Sequence, residues 1–479
     1  MNKYFLTLIL GLLLASGARG QALKLDLEQC VSLALKNNVN MQNAQEELSK
    51  AKAQRKEAFS AALPVISAFG QLSHSFSIAS QPLAFPIPFG VIDINGAPVP
   101  LRDDNGDLVP FIGADGIAVP GRNLQMTGVQ LIPVDLAFGN DNTMVYGLNL
   151  TQPLFEGRVI AAIRGANVYG DMAISAAEVT RLSVIENTKK AFFGVLLADK
   201  MVSVMENSLA VMEQNLTNVN AQYAQGKTAE FDVIRADVQV ANQTSMVSNA
   251  RKMRDLAYAG LKRSCGLQLH EEIATVGKLR VEINNDLILA DLEQKMMSSQ
   301  PLLEQLNANV RLMKENILMV KAEFMPSVAL TGSYQQMLPY NDGEYEGAEF
   351  RESSSLAIGF NMPLFNGFGS TARVQKAKAD HRKSEYQQQD VKENLLLELK
   401  SIYLSIQESS RKIDAGQKGV AQARKGVDMA QRLYQQGMAS QLQVLDAQSA
   451  SDQAELGLYQ AYYEYNSGRA SLARALGEE

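Results

Sequence analysis

The sequence predicts an α+β membrane protein built from two copies of one strand-and-hairpin motif. Three observations carry that expectation: a chain that repeats itself at a nearly constant offset, paired segments of period-two hydropathy, and two long proline-free stretches with heptad spacing. Composition alone suggests something plainer. The 479 residues are 46% hydrophobic and 20% charged, with a formal net charge of −6 and no tryptophan. An acidic balance argues against a nucleic-acid partner, which needs a basic surface. Cys30 and Cys265 are too few for a disulfide framework or a cysteine-rich zinc site, and His74, His270 and His381 lie too far apart for a local ligand motif.

Lys3 supplies a positive start, Tyr4 to Leu14 a short apolar run, and Ala18-Arg19-Gly20 small residues before a cut at Gln21. Residues 1–20 therefore read as a secretory signal peptide, and no cysteine at the cut supports a lipid anchor at the expected new N-terminus. No later run of about 18 apolar residues could form a transmembrane helix. The exported chain is then either soluble or a membrane β-barrel. Export to an oxidising compartment permits a Cys30–Cys265 bridge. Cys265 also falls where the second copy has Leu476, which reads it as a small buried apolar residue.

The repeat is explicit. Pro64-Val65-Ile66-Ser67-Ala68-Phe69-Gly70 returns as Pro326-Ser327-Val328-Ala329-Leu330-Thr331-Gly332, an offset of 262. Pro153-Leu154-Phe155-Glu156-Gly157 returns as Pro363-Leu364-Phe365-Asn366-Gly367, an offset of 210. Tyr223-Ala224-Gln225-Gly226 matches Tyr434-Gln435-Gln436-Gly437 at 211, as does Leu261…Gly266 with Leu472…Gly477. Asp26-Leu27-Glu28-Gln29 aligns with Asp291-Leu292-Glu293-Gln294, with a small gap before the next anchor. The fall from 262 to 210 places a 52-residue insertion in the first copy, between Gly70 and Pro153.

Each copy reads as helix, strand, loop, strand, long helix, turn, long helix. The first covers 21–266, with strands near 64–73 and 144–153, a long extracellular loop at about 75–143 and a helical hairpin over 156–264. A linker, 267–290, precedes the second copy, 291–479, with strands near 326–336 and 355–363 and a hairpin over 369–476. Met144, Tyr146, Leu148 and Leu150 alternate with Val145, Gly147, Asn149 and Thr151; Leu356, Ile358, Phe360 and Met362 alternate with Ala357, Gly359 and Asn361. Period two suits a bilayer-crossing strand, and equally an ordinary half-buried one. Glu156 to Tyr223 holds no proline, and as one helix would span about 100 Å. Val202, Met205, Leu209, Met212, Leu216, Val219 and Tyr223 form a heptad seam, mirrored by Ile413, Gly416, Val420, Ala423, Val427, Ala430 and Tyr434. Gly226 and Gly437 supply the turns.

Four strands cannot close a barrel, since about eight is the smallest closed number. An open edge in lipid leaves unpaired backbone groups at several kcal/mol each. If the strands cross a bilayer, the chain must oligomerise, with Tyr146, Leu148, Leu150, Leu356, Ile358 and Phe360 facing lipid and small or polar residues such as Asn149 and Asn361 facing a wet interior.

The doubled pattern, the two Pro-Leu-Phe-x-Gly strand-to-helix junctions (Pro153 to Gly157, Pro363 to Gly367) and the two Tyr-x-x-Gly turns together resemble the TolC family of outer-membrane efflux proteins, over nearly the whole mature chain. The resemblance implies a homotrimer with a twelve-stranded outer-membrane barrel, continuing as an α-helical tunnel through the periplasm. It also implies a periplasmic adaptor at the hairpin tips and an inner-membrane pump, proton-driven or ABC, behind it. The tips would be Tyr223, Gly226, Lys227 and Thr228, and Tyr434, Gly437, Met438 and Ala439. Asp232 keeps the family's frequent acid six residues after the turn glycine; the second copy has Gln443, and Lys227 stands where an apolar residue is common. By the same resemblance, Asp428, six residues before Tyr434, is a candidate entrance-gate carboxylate. A ring of three would favour cations. Alternatively Asp428 is a solvated residue beside the Val427 seam position.

Other motifs carry no chemistry. Asp103-Asp104-Asn105-Gly106-Asp107 fails the calcium-loop pattern, with Leu108 and Ala114 where glycine and glutamate are required. Ser49-x-x-Lys52 and Ser409-x-x-Lys412 lack their accompanying motifs, and no phosphate loop, nucleophile elbow or zinc-protease motif occurs. No enzyme activity, cofactor or metal is expected. The expected function is an export duct for small molecules, with an outlet for type I protein secretion as its variant. A structural coiled-coil protein of the periplasm or cell surface would explain the heptads but not the repeated strand pairs.

Overall fold

A computed structural model describes residues 23–94, 97–100, 104–106, 125–137, 139–281, 283, 287–343 and 348–479. The signal segment 1–20, and Asp103, Asp107, Leu108 and Ala114 of the acidic stretch, lie outside the described residues. In chain order the elements are β1 (Leu23–Leu25), α1 (Leu27–Asn37), α2 (Val39–Ser60), β2 (Val65–His74), β3 (Ser80–Ile94), β4 (Ala97–Pro100), β5 (Gln125–Ala137), β6 (Asn142–Phe155), α3 (Gly157–Ala224) and α4 (Glu230–Cys265). There follow β7 (Ile273–Thr275), α5 (Leu289–Ser299), α6 (Pro301–Lys321), a 3-10 turn (Ala322–Phe324), β8 (Ser327–Tyr340), β9 (Arg351–Asn361), α7 (Gly369–Gln435) and α8 (Gln441–Leu476). They fall into a helical unit and a strand unit, the latter comprising Ala62–Glu156 and Pro326–Met362.

In the helical unit the repeat is closer than letter matching suggests. The spans of α1 and α5 differ by 262 residues at both ends, and those of α4 and α8 by 211. Gly266 ends α4 against Asn37, and Gly477 ends α8 against Ser299, again 262 apart. The alignment of Asp26 with Asp291, an offset of 265, is thus three residues out of register; the expected gap vanishes because packing partners, not similar letters, define equivalence. Two apolar cores result. One gathers Cys30, Phe192, Val195, Leu261 and Cys265; the other gathers Leu292, Met296, Leu399, Ile413 and Leu476.

The heptad seams pack as expected. Val202, Val219, Ile413 and Val420 are buried and the positions between them half-buried, apart from Tyr223, which is exposed. Gly416 sits where a Cβ would come within 3.2 Å of Leu458 Cδ1, so a small residue there brings α7 and α8 together. The 267–290 segment is more than a linker: its β7 pairs in parallel with β1, Leu23 opposite Ile273 and Leu25 opposite Thr275.

The strand unit holds an antiparallel sheet in the order β2-β6-β8-β9. Register puts Ile66, Leu150, Gly332 and Leu356 in one row, and Ala68, Leu148 and Tyr334 in the next. Ser354 completes that second row, and Gln336 and Glu352 follow in the next, so this face is apolar from Ile66 to Leu148 and turns polar beyond. The other carries Ser67, Asn149, Ser333 and Ser355, the last two hydrogen-bonded through their hydroxyls at 2.8 Å. Gly147 is small for a different reason: a Cβ there would collide with the Tyr334 carbonyl and lie 2.8 Å from Gln335 Cα. Within the expected loop 75–143, β3, β4 and β5 form a further antiparallel sheet, ordered β4-β3-β5. Pro82, Pro86 and Pro88 share one parity of β3 and lie where β4 does not pair with it, since that pairing is confined to Val91–Ile94. Prolines, lacking N–H groups, suit such an unpaired edge.

Candidate conduit surfaces, junctions and hairpin tips

The predicted lipid-facing residues share one face of the four-stranded sheet. Leu356, Ile358 and Phe360 on β9 are about 70% exposed in the single chain, and Tyr146 and Leu148 on β6 are exposed as well; Leu150 is half-buried. At the end of that face Tyr146 hydrogen-bonds Gln336 and meets Phe350 edge to face, with ring centres 5.6 Å apart. Strands of 10 to 14 residues are long enough to cross a bilayer core at a tilt. Among the described residues, the outer edges of β2 and β9 have no partner strand.

The two strand-to-helix junctions match in letters and differ in structure. Pro153 lies inside β6, opposite Ala329, and a bulge follows before Phe155 pairs with Val328. Gly157 then opens α3, where a Cβ would press on Met325 Sδ at 2.7 Å and Ala322 Cβ at 2.9 Å. Pro363 lies beyond the end of β9, and the turn into α7 passes through Gly367 at φ 63° and Phe368 at φ 65°. Glycine adopts that left-handed region freely; phenylalanine does so at a cost. The sequence reading also missed Glu323. Its carboxylate accepts from Arg373 Nε at 2.8 Å and Ser370 Oγ at 2.7 Å, and pairs with Arg158 at 3.3 Å. One acid thereby ties the starts of α3 and α7 together. The Arg373 guanidinium, then the Ser370 hydroxyl, hold the carboxyl below the usual range. No sequence signal marks this residue, because the equivalent position in the first copy is Ala61.

Both hairpin tips use the same backbone device. Gly226 and Gly437 take φ values of 67° and 77°. Gly226 N–H bonds the Tyr223 carbonyl and Lys227 N–H that of Gln222; Gly437 and Met438 repeat this with Tyr434 and Leu433, all at 2.9 Å. This double bond past a left-handed glycine satisfies the last helical carbonyls. The return helices start differently. Ser440 caps α8, with reciprocal bonds to Gln443, whereas α4 has no side-chain cap and Thr228 donates instead to Asp232 at 2.9 Å. The exchange of aspartate for Gln443 is therefore a change of helix-start chemistry. Met438 is two-thirds exposed, Tyr223 is exposed and Tyr434 half-buried. Lys227 is exposed; Thr228 and Ala439 are half-buried.

Asp428 lies on the exposed side of α7 beside half-buried Val427 and pairs with Arg432, one turn on, at 3.0 Å. Among the described residues no group of acids, histidines and cysteines is clustered to hold a metal, and no helix is long and apolar enough to cross a membrane.

The comparisons agree with this geometry. A family model described as "Outer membrane efflux protein" matches residues 107–267 and 292–478, one segment in each copy. The outer membrane protein TolC of Escherichia coli is 22% identical over 354 residues, covering 71% of this chain and 70% of TolC. The alkaline protease secretion protein AprF of Pseudomonas aeruginosa is 22% identical over 333 residues, 69% of each chain. The CmeC outer membrane channel of Campylobacter jejuni superposes with a TM-score of 0.72 at 16% identity, over 94% of this chain and 85% of CmeC. The fold is that of the outer-membrane channels, and the chain belongs to the outer membrane efflux protein family, located in the outer membrane and extending into the periplasm.

Proposed function

We propose that the protein is the exit duct of a tripartite export system, passing small molecules from an inner-membrane pump and a periplasmic adaptor to the exterior. The observation that carries this is the four-stranded amphipathic sheet, whose outer edges are both unpaired among the described residues. In lipid such edges must close on other copies, and three chains give twelve strands with room for a lumen. The tips, Tyr223 to Thr228 and Tyr434 to Ala439, are the adaptor-contacting surfaces; their exposed Met438 and Tyr223 suit an apolar docking partner. AprF, whose name concerns protease secretion, is as similar as TolC, so an outlet for protein secretion is the second reading. The purified protein should migrate in detergent as a heat-sensitive trimer and conduct ions across planar bilayers. A water-soluble species without conductance would overturn the duct. Loss of drug tolerance on deletion, against loss of a secreted protein, separates the two cargo classes.

Asp428 is proposed as the entrance carboxylate, three symmetry-related copies favouring cations. Its Arg432 partner is largely exposed, so the pair is weak, worth about 0–1 kcal/mol, and leaves the charge available to the pore. Asp428→Asn should shift the reversal potential in a salt gradient toward anions while trimer stability stays unchanged. An unaltered reversal potential would place Asp428 away from the path.

A further inference from the structure

The chain has two cysteines, and the fold brings them together. Cys30 on α1 and Cys265, the last residue of α4, are both fully buried in one apolar cluster. Cys265 Sγ lies 3.6 Å from the Cys30 carbonyl oxygen, so the two residues are direct neighbours in that core. The internal repeat sharpens this. Offsets of 262 for α1 and α5, and 211 for α4 and α8, make Leu292 the counterpart of Cys30 and Leu476 that of Cys265. Both leucines are buried in the second core. Packing at this spot is therefore met by a leucine pair in one copy. In the other, both members are replaced by the residue type whose side chains can be joined covalently.

The location gives the replacement a purpose. α5 is flanked by folded elements, β7 before it and α6 after it, whereas among the described residues α1 is preceded only by the three-residue β1. The existing ties are the short β1–β7 pairing, Gly266 packed on Asn37, and a 2.8 Å hydrogen bond from Asn38 Nδ2 to the Ser264 carbonyl. In the proposed duct, on which this inference rests, the helical unit lies in the periplasm, where disulfides form and persist.

We propose that Cys30 and Cys265 are joined by a disulfide in the exported protein, stapling α1 to the end of the first hairpin. The oxidant is the disulfide of a periplasmic thiol oxidoreductase. The Cys265 thiolate attacks one sulfur of that disulfide and releases one thiolate; Cys30 then attacks Cys265 Sγ and releases the second. The two cysteine protons pass to the released thiolates, and the oxidant leaves as a dithiol. Because neither sulfur is accessible in the packed core, exchange precedes the final docking of α1.

The protein should be purified from outer membranes with thiols trapped by acid, denatured with excess iodoacetamide and no reductant, digested, and mapped by mass spectrometry. The peptides bearing Cys30 and Cys265 should be found linked and unalkylated, each taking one label only after reduction. Singly alkylated, unlinked peptides before reduction would overturn the staple. Reductant should also speed trypsin release of the N-terminal segment several-fold in the wild type, but not in a Cys30→Ala, Cys265→Ala double variant. A wild type as insensitive as that variant would equally overturn it.

Discussion

Alanine at Gly266 is expected to destabilise the helical unit by about 3 kcal/mol or more, since a left-handed conformation costs about 1–2 kcal/mol for an L-residue before any clash. Two terms add here. Gly266 sits at φ 69°, and a Cβ would lie 2.5 Å from both the carbonyl carbon and oxygen of Asn37. These are backbone atoms at the end of α1, so no side-chain rotation relieves the overlap. Gly477 repeats the arrangement at φ 74°, with a Cβ meeting the Ser299 carbonyl. Gly226 is the internal control: its φ of 67° is similar, but nothing lies within 4 Å of the added carbon. Gly226→Ala should lose about 1 kcal/mol, the conformational part alone. Thermal unfolding followed by helical circular dichroism would rank the three. Equal losses at Gly226 and Gly266 would mean that α1 yields to the clash and does not hold the hairpin end.

The second large effect is expected at Glu186, in the middle of α3. Its side chain is 9% exposed and meets cations from two elements: Lys190 at 2.7 Å on its own helix and Arg474 Nε at 2.5 Å on α8. Ser471 Oγ adds a hydrogen bond at 2.8 Å. The Arg474 Nε–H is not aimed along its contact, so that pairing is Coulombic. Arg474 also pairs with Glu398 on α7, so one buried acid joins the first hairpin to both helices of the second. Burial alone would raise the Glu186 carboxyl; Lys190, Ser471 and Arg474 outweigh it and hold it below the usual range. Glu186→Ala would leave Arg474 with Glu398 alone and Lys190 and Ser471 without this acceptor, so it should cost about 1–3 kcal/mol. A carboxyl lowered in the folded state contributes stability above its unfolded value of about 4.3, and that contribution disappears as pH falls through the lower folded value. The wild type should therefore lose unfolding temperature on acidification below the ordinary glutamate range, and Glu186→Gln should lose that part of the pH dependence. A Glu186→Ala protein as stable as the wild type at neutral pH would show that the hairpins are joined by apolar packing alone.

The doubled plan, the strand faces, the heptad seams and both turn glycines are legible in the amino-acid order. Each rests on a local period or a local backbone need. Residues two apart share a sheet face, and seam positions recur every 3.5 residues whatever they pack against. Glu323 and Glu186 were not legible for the converse reason. Their partners lie 50 and 288 residues away along the chain, and neither position has a counterpart acid in the other copy (Ala61 and Leu397) to mark it by repetition. The junctions show the same limit. Pro-Leu-Phe-x-Gly is written twice, yet one copy continues a paired strand and the other turns through two left-handed residues. Both strands pair with the start of β8, but their registers differ: β6 carries Pro153 opposite Ala329 and pairs on to Phe155, whereas β9 reaches Ser327 with Asn361, two residues before Pro363.

By itself, then, the sequence determined that the protein is a twice-written strand-and-hairpin chain with an apolar strand face, because periodicity and repetition are properties of neighbours along the chain. Only the tertiary structure decided the true register of the two copies, the strands within the long loop, the acids that join the hairpins and the meeting of the two cysteines. Those depend on which distant atoms share a few ångströms of space, and that follows from packing.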